Sequence, residues 1–274
     1  MHRIQAKPFL KWAGGKRQLL HELLARLPRT FNAFHEPFLG GGALFFRLFS
    51  KGLLTRACIS DINRPLIETY LAVRDSTEEV IACLGMHRNE ENYYYSVRDR
   101  DPERLSSAER AARIIYLNKT CYNGLYRENS SGRFNVPWGR HKNPLICDEA
   151  TLCADAVALR SADIGCREFK TVLDRAEPGD LVYFDPPYHP VSGTAYFTAY
   201  DRSGFGESDQ IALRDLLERL ASRAIHVILS NSDTPFVRNL YQGLAIHEVK
   251  AQRAINSKAS RRGKVGELII CTYG

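Results

Sequence analysis

Four residues in the second half of the chain have the types and order needed to hold an amine. Asp185, Pro186, Pro187 and Tyr188 follow an apolar run at 181–184. This predicts a carboxylate at the carboxyl end of a strand, where open α/β sheets bind their ligands. The prolines lack backbone donors and stiffen the turn, which directs carbonyl oxygens into the site. The Asp185 carboxylate and the Pro186 carbonyl would accept both hydrogens of an amine, and Tyr188 offers a face for stacking a heterocycle.

A paired acceptor of this kind has a specific chemical use. An amine on an aromatic base is a poor nucleophile because its lone pair is delocalised into the ring. Two acceptors that hold its hydrogens favour the pyramidal form present during attack, which stabilises the transition state. The tetrad therefore indicates attack by an exocyclic amine. The structural alternative is an aspartate that only caps a proline turn.

A glycine-rich turn early in the chain is typical of an adenosine-binding site. Gly40, Gly41 and Gly42 connect a short strand-like segment to an amphipathic helical pattern, so backbone N–H groups can approach a ligand closely. Asp61 ends a strand-like run, where Rossmann-like folds place an acid that accepts hydrogen bonds from ribose hydroxyls. Three glycines that serve only a tight turn are the alternative.

The elements that must position these residues follow from the apolar pattern, in which short β-like runs alternate with longer helical stretches. The pattern predicts a mostly parallel α/β sheet. Because no convincing helix separates the last two strands, we expect them to form an antiparallel pair. The predicted strands are 32–36, 55–60, 162–166, 180–184, 225–230, 244–250 and 266–272, and the predicted helices are 15–27, 42–51, 63–74, 208–222 and 234–240.

The pattern changes between residues 63 and 149, where it becomes helical and rich in Arg, Tyr and Asn. One catalytic domain with an insertion and two modest domains both fit the length. We interpret 63–149 as an inserted domain, with a hairpin near 119–143, and 1–62 with 150–274 as a discontinuous catalytic domain. The hairpin segment is too long and polar for an ordinary connection, and such loops commonly carry function.

The composition of the 274 residues restricts the class of protein. With 44% hydrophobic and 25% charged residues, the chain has globular usage, which excludes disorder and collagen-like repeats. A formal net charge of +7 favours a polyanionic partner. Apolar runs fall short of a membrane span and no signal peptide is evident, so we expect a cytoplasmic protein. Seven cysteines without a C-x-x-C pair predict reduced, mostly buried thiols, and neither they nor the histidines have the spacing of a metal site.

The tetrad and the segment EPFLGGG at 36–42 together resemble the DNA adenine-N6 methyltransferases. Their order, with the glycine motif before the tetrad, is that of the Dam-like subgroup. The resemblance extends over nearly the full chain. Its further segments are FLKWAGGK at 9–16, YNGL at 122–125, FNVP at 134–137, SNSDT at 230–234 and the region 253–269.

The resemblance implies a Rossmann-like methyltransferase sheet of seven strands, the last one antiparallel, with an inserted helical DNA-recognition domain. It implies S-adenosylmethionine as the cofactor without a metal, and double-stranded DNA as the partner. The expected protein is a monomer, bacterial or phage-encoded, without membrane attachment. Asp185, Pro186, Pro187 and Tyr188 would hold the target adenine; the residues assigned to the cofactor are Trp12, Lys16, Phe38, Gly40, Gly42, Asp61 and Asp185.

The resemblance also assigns residues that read DNA. Tyr122 and Asn123 would fill the space left by a flipped adenine and pair with the orphaned thymine. Arg127 has a guanidinium fork that suits guanine O6 and N7, and Leu125 and Pro137 offer apolar contact to thymine methyls.

This subgroup reads GATC. Lys11 matches a lysine that contacts both the site and the first base pair. His141 stands where the better-known member has Tyr, which predicts an altered preference near the first base pair. A basic cluster between the last two strands would contact phosphates; its residues are Arg253, Lys258, Arg261, Arg262 and Lys264.

Four other functions are weighed against this one. Methylation of cytosine N4 or of an RNA amine would use the same acceptors. A catalytically inactive DNA-binding relative should show damage in the tetrad or the glycine turn, and both are intact. A nicotinamide-dependent dehydrogenase is disfavoured because Phe45 stands at the third glycine position of the dinucleotide motif.

Overall fold

A computed structural model describes residues 5–12, 19–190, 205–252 and 264–273 of the chain. Within these ranges, seven strands form a mixed sheet in the order β3-β2-β1-β4-β5-β7-β6. The strands are β1 (Phe34–Glu36), β2 (Ala57–Asp61), β3 (Ala162–Cys166), β4 (Leu181–Phe184), β5 (His226–Ser232), β6 (Ala245–Gln252) and β7 (Lys264–Cys271). The helices are α1 (Leu20–Ala25), α2 (Ala43–Ser50), α3 (Arg64–Asp75), α4 (Thr77–Gly85), α5 (Glu91–Arg98), α6 (Ser107–Thr120), α7 (Glu149–Leu159), α8 (Glu207–Ala221) and α9 (Pro235–Leu240).

The strand directions confirm the predicted α/β class. β1 pairs in parallel with β2 and β4, and β4 pairs in parallel with β5. β7 runs antiparallel to both β5 and β6. β7 therefore enters the sheet between β5 and β6, which agrees with the antiparallel pair expected from the missing helix.

The central parallel strand β4 consists of apolar and aromatic residues that point to both faces of the sheet. All four residues of β4 are buried, as expected of a strand covered by other elements on both sides. Leu213, Leu217 and Leu220 of α8 belong to one buried cluster with strand residues such as Val182 and Leu229. This packing holds α8 against the sheet.

The helices begin where the sequence supplies capping groups. Asn63 accepts a hydrogen bond from the Leu66 N–H at the start of α3. Ser106 and Glu109 form a reciprocal capping box at the start of α6. The predicted helices at 42–51, 63–74, 208–222 and 234–240 are confirmed to within a residue or two. Of the helix predicted at 15–27, residues 15–18 lie outside the described part, and α1 ends two residues earlier than predicted.

The chain divides into two compact units. The first comprises 1–15, 40–53 and 61–166, and in it α3 packs against α6 and α7 while α4 and α5 pack against α6. The second comprises 16–39, 54–60 and 167–274 and contains β4, β5, β6, β7 and α8. The inserted recognition domain at 63–149 remains a prediction.

Burial of the cysteines differs from the expectation. Cys121 and Cys271 are buried, but Cys153 and Cys166 are exposed and the other three are half-buried. The prediction of mostly buried thiols was therefore wrong. Cys153 occupies an exposed position of α7 and Cys166 is the last residue of β3, so neither belongs to the core. No helix within the described ranges is long and apolar enough to cross a membrane.

Candidate active site

The tetrad lies directly after β4, where the sequence placed it. Asp185 is the first residue beyond the strand and is half-buried, and Pro186 is buried. The hydroxyl of Tyr188 donates a hydrogen bond to Oε2 of Glu267 on β7 at 3.1 Å. Glu267 thus fixes the outer end of the Tyr188 ring, whose face is the surface expected to stack against a base.

Burial and nearby negative charges keep the hydroxyl of Tyr188 protonated. Burial raises the pKa of Tyr188 well above its ordinary value, and the negative charges of Asp185 and Glu267 raise it further. The phenol therefore stays neutral and acts as a hydrogen-bond donor at any ordinary pH. A tyrosinate at this position would add a third negative charge to the site.

The residue after the tetrad is held by β5 and α9. The carbonyl of His189 accepts a hydrogen bond from the Ser232 hydroxyl at 2.5 Å, and its Nδ1 lies 3.2 Å from Oγ1 of Thr234. Its ring stacks on Phe236, with ring centroids 4.6 Å apart. The chain beyond Tyr188 is therefore anchored through both backbone and side chain.

Phe38 of the glycine-motif segment belongs to an aromatic cluster in the same unit. Its ring stacks on Phe169 with centroids 5.2 Å apart and meets Phe184 and Phe205 edge to face. Phe184 is the last residue of β4 and adjoins Asp185. Aromatic faces of this kind suit the planar adenine of a nucleoside.

The glycine turn lies in the first compact unit. Gly40 and Gly42 have φ values of 46° and 63°, in the left-handed region that favours glycine. The hydroxyl of Tyr70 donates to the Gly40 carbonyl at 3.0 Å. α2 begins directly after Gly42, so the turn leads into a helix start as the sequence predicted.

Asp61, at the end of β2, holds this turn. Its Oδ2 accepts from the Gly40 N–H at 3.0 Å and its Oδ1 from the Asn63 N–H at 2.9 Å. Burial raises the pKa of Asp61, while these backbone N–H groups oppose that rise by favouring the charged form. A carboxylate oxygen can accept more than one hydrogen bond, so the chemistry of Asp61 fits the ribose hydroxyls of an adenosine ligand.

Trp12 lies beside the same turn. A Cβ added at Gly40 would stand 2.8 Å from Trp12 Cδ1, so only glycine permits the indole this close. The ring of Tyr126 stacks on the Trp12 indole, with the two ring centroids 5.1 Å apart. Of the residues assigned to the cofactor, the structure brings Trp12, Gly40 and Asp61 together; Lys16 lies outside the described ranges.

The proposed DNA-reading segment, residues 119–143, folds back on itself as a hairpin through isolated β-bridges. Cys121 pairs with Trp138 and Glu128 with Phe134, both antiparallel. The Tyr122 N–H donates to the Pro137 carbonyl at 2.9 Å. The segment is therefore ordered by a few specific contacts rather than by regular strands.

Lys11 is tied to this hairpin through Asn118. The Asn118 amide accepts from the Lys11 N–H at 2.8 Å and donates to the Lys11 carbonyl at 2.7 Å and the Gly124 carbonyl at 3.2 Å. Gly124 has φ 65°, and a Cβ there would meet Lys11 Cδ at 2.8 Å. Asn118 is buried, whereas the Lys11 side chain is exposed and remains available to a ligand.

The residues at the start of the hairpin face solvent. Tyr122 is 46% exposed, which is unusual for an aromatic side chain. Asn123 is exposed and adopts a left-handed φ of 56°, a conformation that Asn tolerates better than most residues. An exposed aromatic ring can fill the space left by a flipped base, and an exposed amide next to it can pair with the orphaned partner base.

Arg127 is exposed and is held in one orientation. Its Nε donates to Oδ1 of Asn135 at 2.7 Å, and one Nη donates to the Asn135 carbonyl at 3.3 Å. Pro137 is exposed and Leu125 is half-buried. The structure thus brings the three candidate base readers onto one hairpin.

His141 has a structural contact instead of a free ring. Its Nε2 donates to the Cys121 carbonyl at 3.0 Å. Gly139 lies against the same carbonyl, where an added Cβ would stand 2.4 Å away. His141 therefore closes the base of the hairpin.

Most of the predicted phosphate-binding cluster lies outside the described ranges, namely Arg253, Lys258, Arg261 and Arg262. Lys264 is the first residue of β7. In the part of the chain that is described, no group of three or more His, Cys, Asp or Glu side chains could hold a metal.

Several residues that shape the site were given no individual role from the sequence. Glu267 fixes Tyr188, Asn118 ties Lys11 to the hairpin, and Asn135 orients Arg127. Gln210 and Asn231 contact the backbone beside Tyr188. Gln210 could have been found, because it falls on the apolar stripe of α8 with Leu213 and Leu217, where a polar residue needs a partner.

Comparison with known proteins finds related sequences over nearly the whole chain. Residues 12–255 match the family described as D12 class N6 adenine-specific DNA methyltransferase. The chain is similar to the Type II methyltransferase M1.LlaDCHI of Lactococcus lactis subsp. cremoris, with 43% identity over 100% of this chain and 98% of that protein. It is 39% identical to the Type II methyltransferase M.MjaIII of Methanocaldococcus jannaschii, over 98% of this chain and all of that protein. It is also 39% identical to the DNA adenine methylase of Escherichia coli K12, over 96% and 94% of the two chains.

Proposed function

The chain belongs to the D12 class of N6 adenine-specific DNA methyltransferases, and on this premise we propose that it methylates adenine N6 within GATC after flipping the base out of duplex DNA. The observation that carries the proposal is the tetrad at the end of β4, in which Asp185 follows the strand and Tyr188 is fixed by Glu267. The Asp185 carboxylate can accept a hydrogen bond from the exocyclic amine of a base, and the Tyr188 ring can stack on that base.

The residues of the chain would act on the amine. The Asp185 carboxylate and the Pro186 carbonyl accept its two hydrogens and favour the pyramidal form that attacks. Tyr188 stacks on the base. Bound S-adenosylmethionine supplies an electrophilic methyl group on a sulfonium, so the transfer needs no covalent enzyme intermediate and no metal.

The cofactor would be held by residues with donors, acceptors and aromatic faces. Asp61 would accept hydrogen bonds from the ribose hydroxyls, and the N–H groups of the Gly40–Gly42 turn would approach the ligand closely. Trp12 lies against this turn. Phe38 and Lys16 complete the proposed set, Lys16 by its match to the family motif.

Sequence reading would come from the hairpin. The exposed Arg127 is orientated by Asn135, and its guanidinium can donate to guanine O6 and N7. Leu125 and Pro137 provide apolar contact to thymine methyls. Together with Lys11 at the first base pair, these residues support GATC as the recognition sequence. His141 stands where the better-known member has Tyr and would alter the preference near the first base pair.

Base flipping would depend on Tyr122 and Asn123. The target amine inside a duplex is not accessible to the tetrad, and a flipped base leaves a gap that must be filled. The exposed ring of Tyr122 can fill that gap and the Asn123 amide can pair with the orphaned thymine. The basic residues Arg253, Lys258, Arg261, Arg262 and Lys264 would add sequence-independent phosphate contacts.

Methyl transfer to synthetic substrates tests the proposal. The protein is incubated with methyl-labelled S-adenosylmethionine and a GATC duplex, single-base variants of that duplex, or the matching RNA duplex, and the digested nucleosides are identified by mass spectrometry. We expect N6-methyldeoxyadenosine from the GATC duplex alone. Methylcytosine, or equal labelling of RNA, would favour the alternative amino-methyltransferases and refute the proposal.

A further inference from the structure

Two amide side chains are fully buried close to the tetrad. Gln210 lies on α8 and Asn231 on β5, with 1% and 0% of their surface exposed. The Asn231 Nδ2 donates a hydrogen bond to Oε1 of Gln210 at 3.0 Å. A buried amide is costly unless its donors and acceptors are hydrogen bonded. The other hydrogen-bond partners of Gln210 and Asn231 therefore show which part of the chain the two amides hold.

Both amides bind the backbone around Tyr188. The Nε2 of Gln210 donates to the Pro187 carbonyl at 2.9 Å. The His189 N–H donates to Oδ1 of Asn231 at 3.1 Å, and the same oxygen accepts from the Ser232 N–H at 2.9 Å. The amide pair thus holds the chain immediately before and immediately after Tyr188.

The direction of these hydrogen bonds fixes the orientation of each amide. Asn231 must turn its oxygen towards two N–H groups, so its NH₂ group faces Gln210. Gln210 must then present its oxygen to Asn231 and its NH₂ group to Pro187. A flip of either amide would set donor against donor or acceptor against acceptor. The pair is therefore locked in one arrangement, which suits a turn that must be rigid.

The contacts give the two proline carbonyls different tasks. The Pro187 carbonyl accepts from Gln210, whereas the Pro186 carbonyl is the acceptor proposed for the amine. Both prolines have a fixed φ and supply no N–H. Holding the Pro187 carbonyl and the His189 N–H therefore restricts the remaining rotations that decide where the Pro186 carbonyl points.

We propose that Gln210 and Asn231 are positioning residues for methyl transfer, which hold the turn so that the Asp185 carboxylate and the Pro186 carbonyl meet both hydrogens of the amine. The proposal rests on the proposed function. Neither amide is expected to touch the DNA or the cofactor. Their loss should therefore slow the transfer step and leave the binding of both substrates nearly unchanged.

The first test replaces Gln210 by an apolar side chain of similar length. For Gln210→Met we expect the single-turnover rate to fall roughly 10-fold to 100-fold, as for small displacements of reacting groups. The dissociation constants for S-adenosylmethionine and for the GATC duplex should change by no more than about twofold. A rate close to that of the wild type would overturn the proposal.

Leu213→Ala on the same helix is the matched control. Leu213 is fully buried and belongs to the core cluster, so its truncation lowers the thermal midpoint without touching the tetrad backbone. We expect the rate of this variant to stay within about twofold of the wild type. If Leu213→Ala slowed the reaction as much as Gln210→Met, the loss would reflect stability and the positioning role would be refuted.

The Gln210→Glu variant tests the positioning role through the pH dependence of the rate, which a merely structural role would not change. It also replaces Gln210→Met as the test if that variant does not fold. A carboxylate cannot donate to the Pro187 carbonyl, but a protonated carboxyl can, while still accepting from Asn231. The rate of this variant relative to the wild type should therefore rise as pH falls. A ratio that is constant with pH would overturn the proposal.

The outcomes also separate this inference from the proposed function. Wild-type protein that transfers no methyl group to the GATC duplex would refute the function itself. Active wild-type protein with equally active Gln210 variants would refute only the positioning role.

Discussion

Asp61 accepts a hydrogen bond on its Oδ2 from the Gly40 N–H at 3.0 Å. This contact joins the acid at the end of β2 to the first glycine of the turn, 21 residues away in the chain. The two motifs that the sequence suggested as one site are thus brought together. Asp61 therefore has two tasks in our account, since it holds the turn and would also bind the ribose.

Removal of the Asp61 carboxylate should weaken cofactor binding. For Asp61→Ala we expect a loss of about 1.5–3 kcal/mol in S-adenosylmethionine affinity, the scale of charge-assisted hydrogen bonds. Calorimetry measures it directly. Tyr70→Phe is the control, because it removes a hydrogen bond to the Gly40 carbonyl without removing the proposed ribose ligand. Equal losses in both variants would show that Asp61 acts only by holding the turn.

The fold was largely predictable because its signals are local. The clearest strands, β4 and the first half of β5, are short apolar runs, and the residues that begin α3 and α6 are ordinary helix caps. Asp185 could be placed because it directly follows an apolar strand.

The supporting contacts were less predictable, because they join residues far apart in the chain. Glu267 reaches Tyr188 across 79 residues, and Asn118 reaches Lys11 across 107. Amides and carboxylates have many uses, so their type alone does not reveal the partner. Asn231 was noticed only as part of a family segment, and its contact with His189 depends on the packing of β5 beside β4.

Arg127 should decide one base pair of the recognition sequence. Arg127→Ala removes the fork that suits guanine, so we expect a loss of ~1–3 kcal/mol on the GATC duplex and reduced discrimination at one position. Binding to GATC and to its single-base variants measures both effects. Arg133→Ala on the same exposed hairpin is the charge-matched control and should weaken all duplexes alike. Unaltered discrimination in Arg127→Ala would remove this residue from the readers.

Tyr122 should be needed for flipping and not for initial DNA binding. With 2-aminopurine at the target position, Tyr122→Ala should give a smaller fluorescence increase on binding because the base stays stacked. Tyr122→Phe retains the exposed ring and should behave as the wild type. A full fluorescence increase in Tyr122→Ala would show that the ring does not fill the gap.

Stability should depend on pH through Asp155, a buried residue of α7. Its Oδ1 accepts from the Lys7 N–H at 2.9 Å, and within the described chain its Oδ2 has no partner. Burial raises the pKa of Asp155 from 3.8 to about 8. The folded protein therefore binds more protons than the unfolded chain between these values, and stability falls as pH rises through this window.

Asp155→Asn tests this assignment by removing the charge. The gain in thermal midpoint over the wild type should be larger at about pH 9 than at about pH 6. Asp148→Asn is the control, since Asp148 is only partly buried and its pKa is lowered. A midpoint difference for Asp155→Asn that does not vary with pH would contradict the assignment.

The most direct test of the central claim is modification-aware sequencing of DNA from a methylation-free host that expresses the chain. We expect N6-methyladenine in GATC on both strands. The Asp185→Asn variant should reduce this methylation by roughly 10²-fold or more while leaving cofactor binding largely intact. Methylation of cytosine, methylation of adenine in an unrelated sequence, or undiminished methylation by Asp185→Asn would contradict the account.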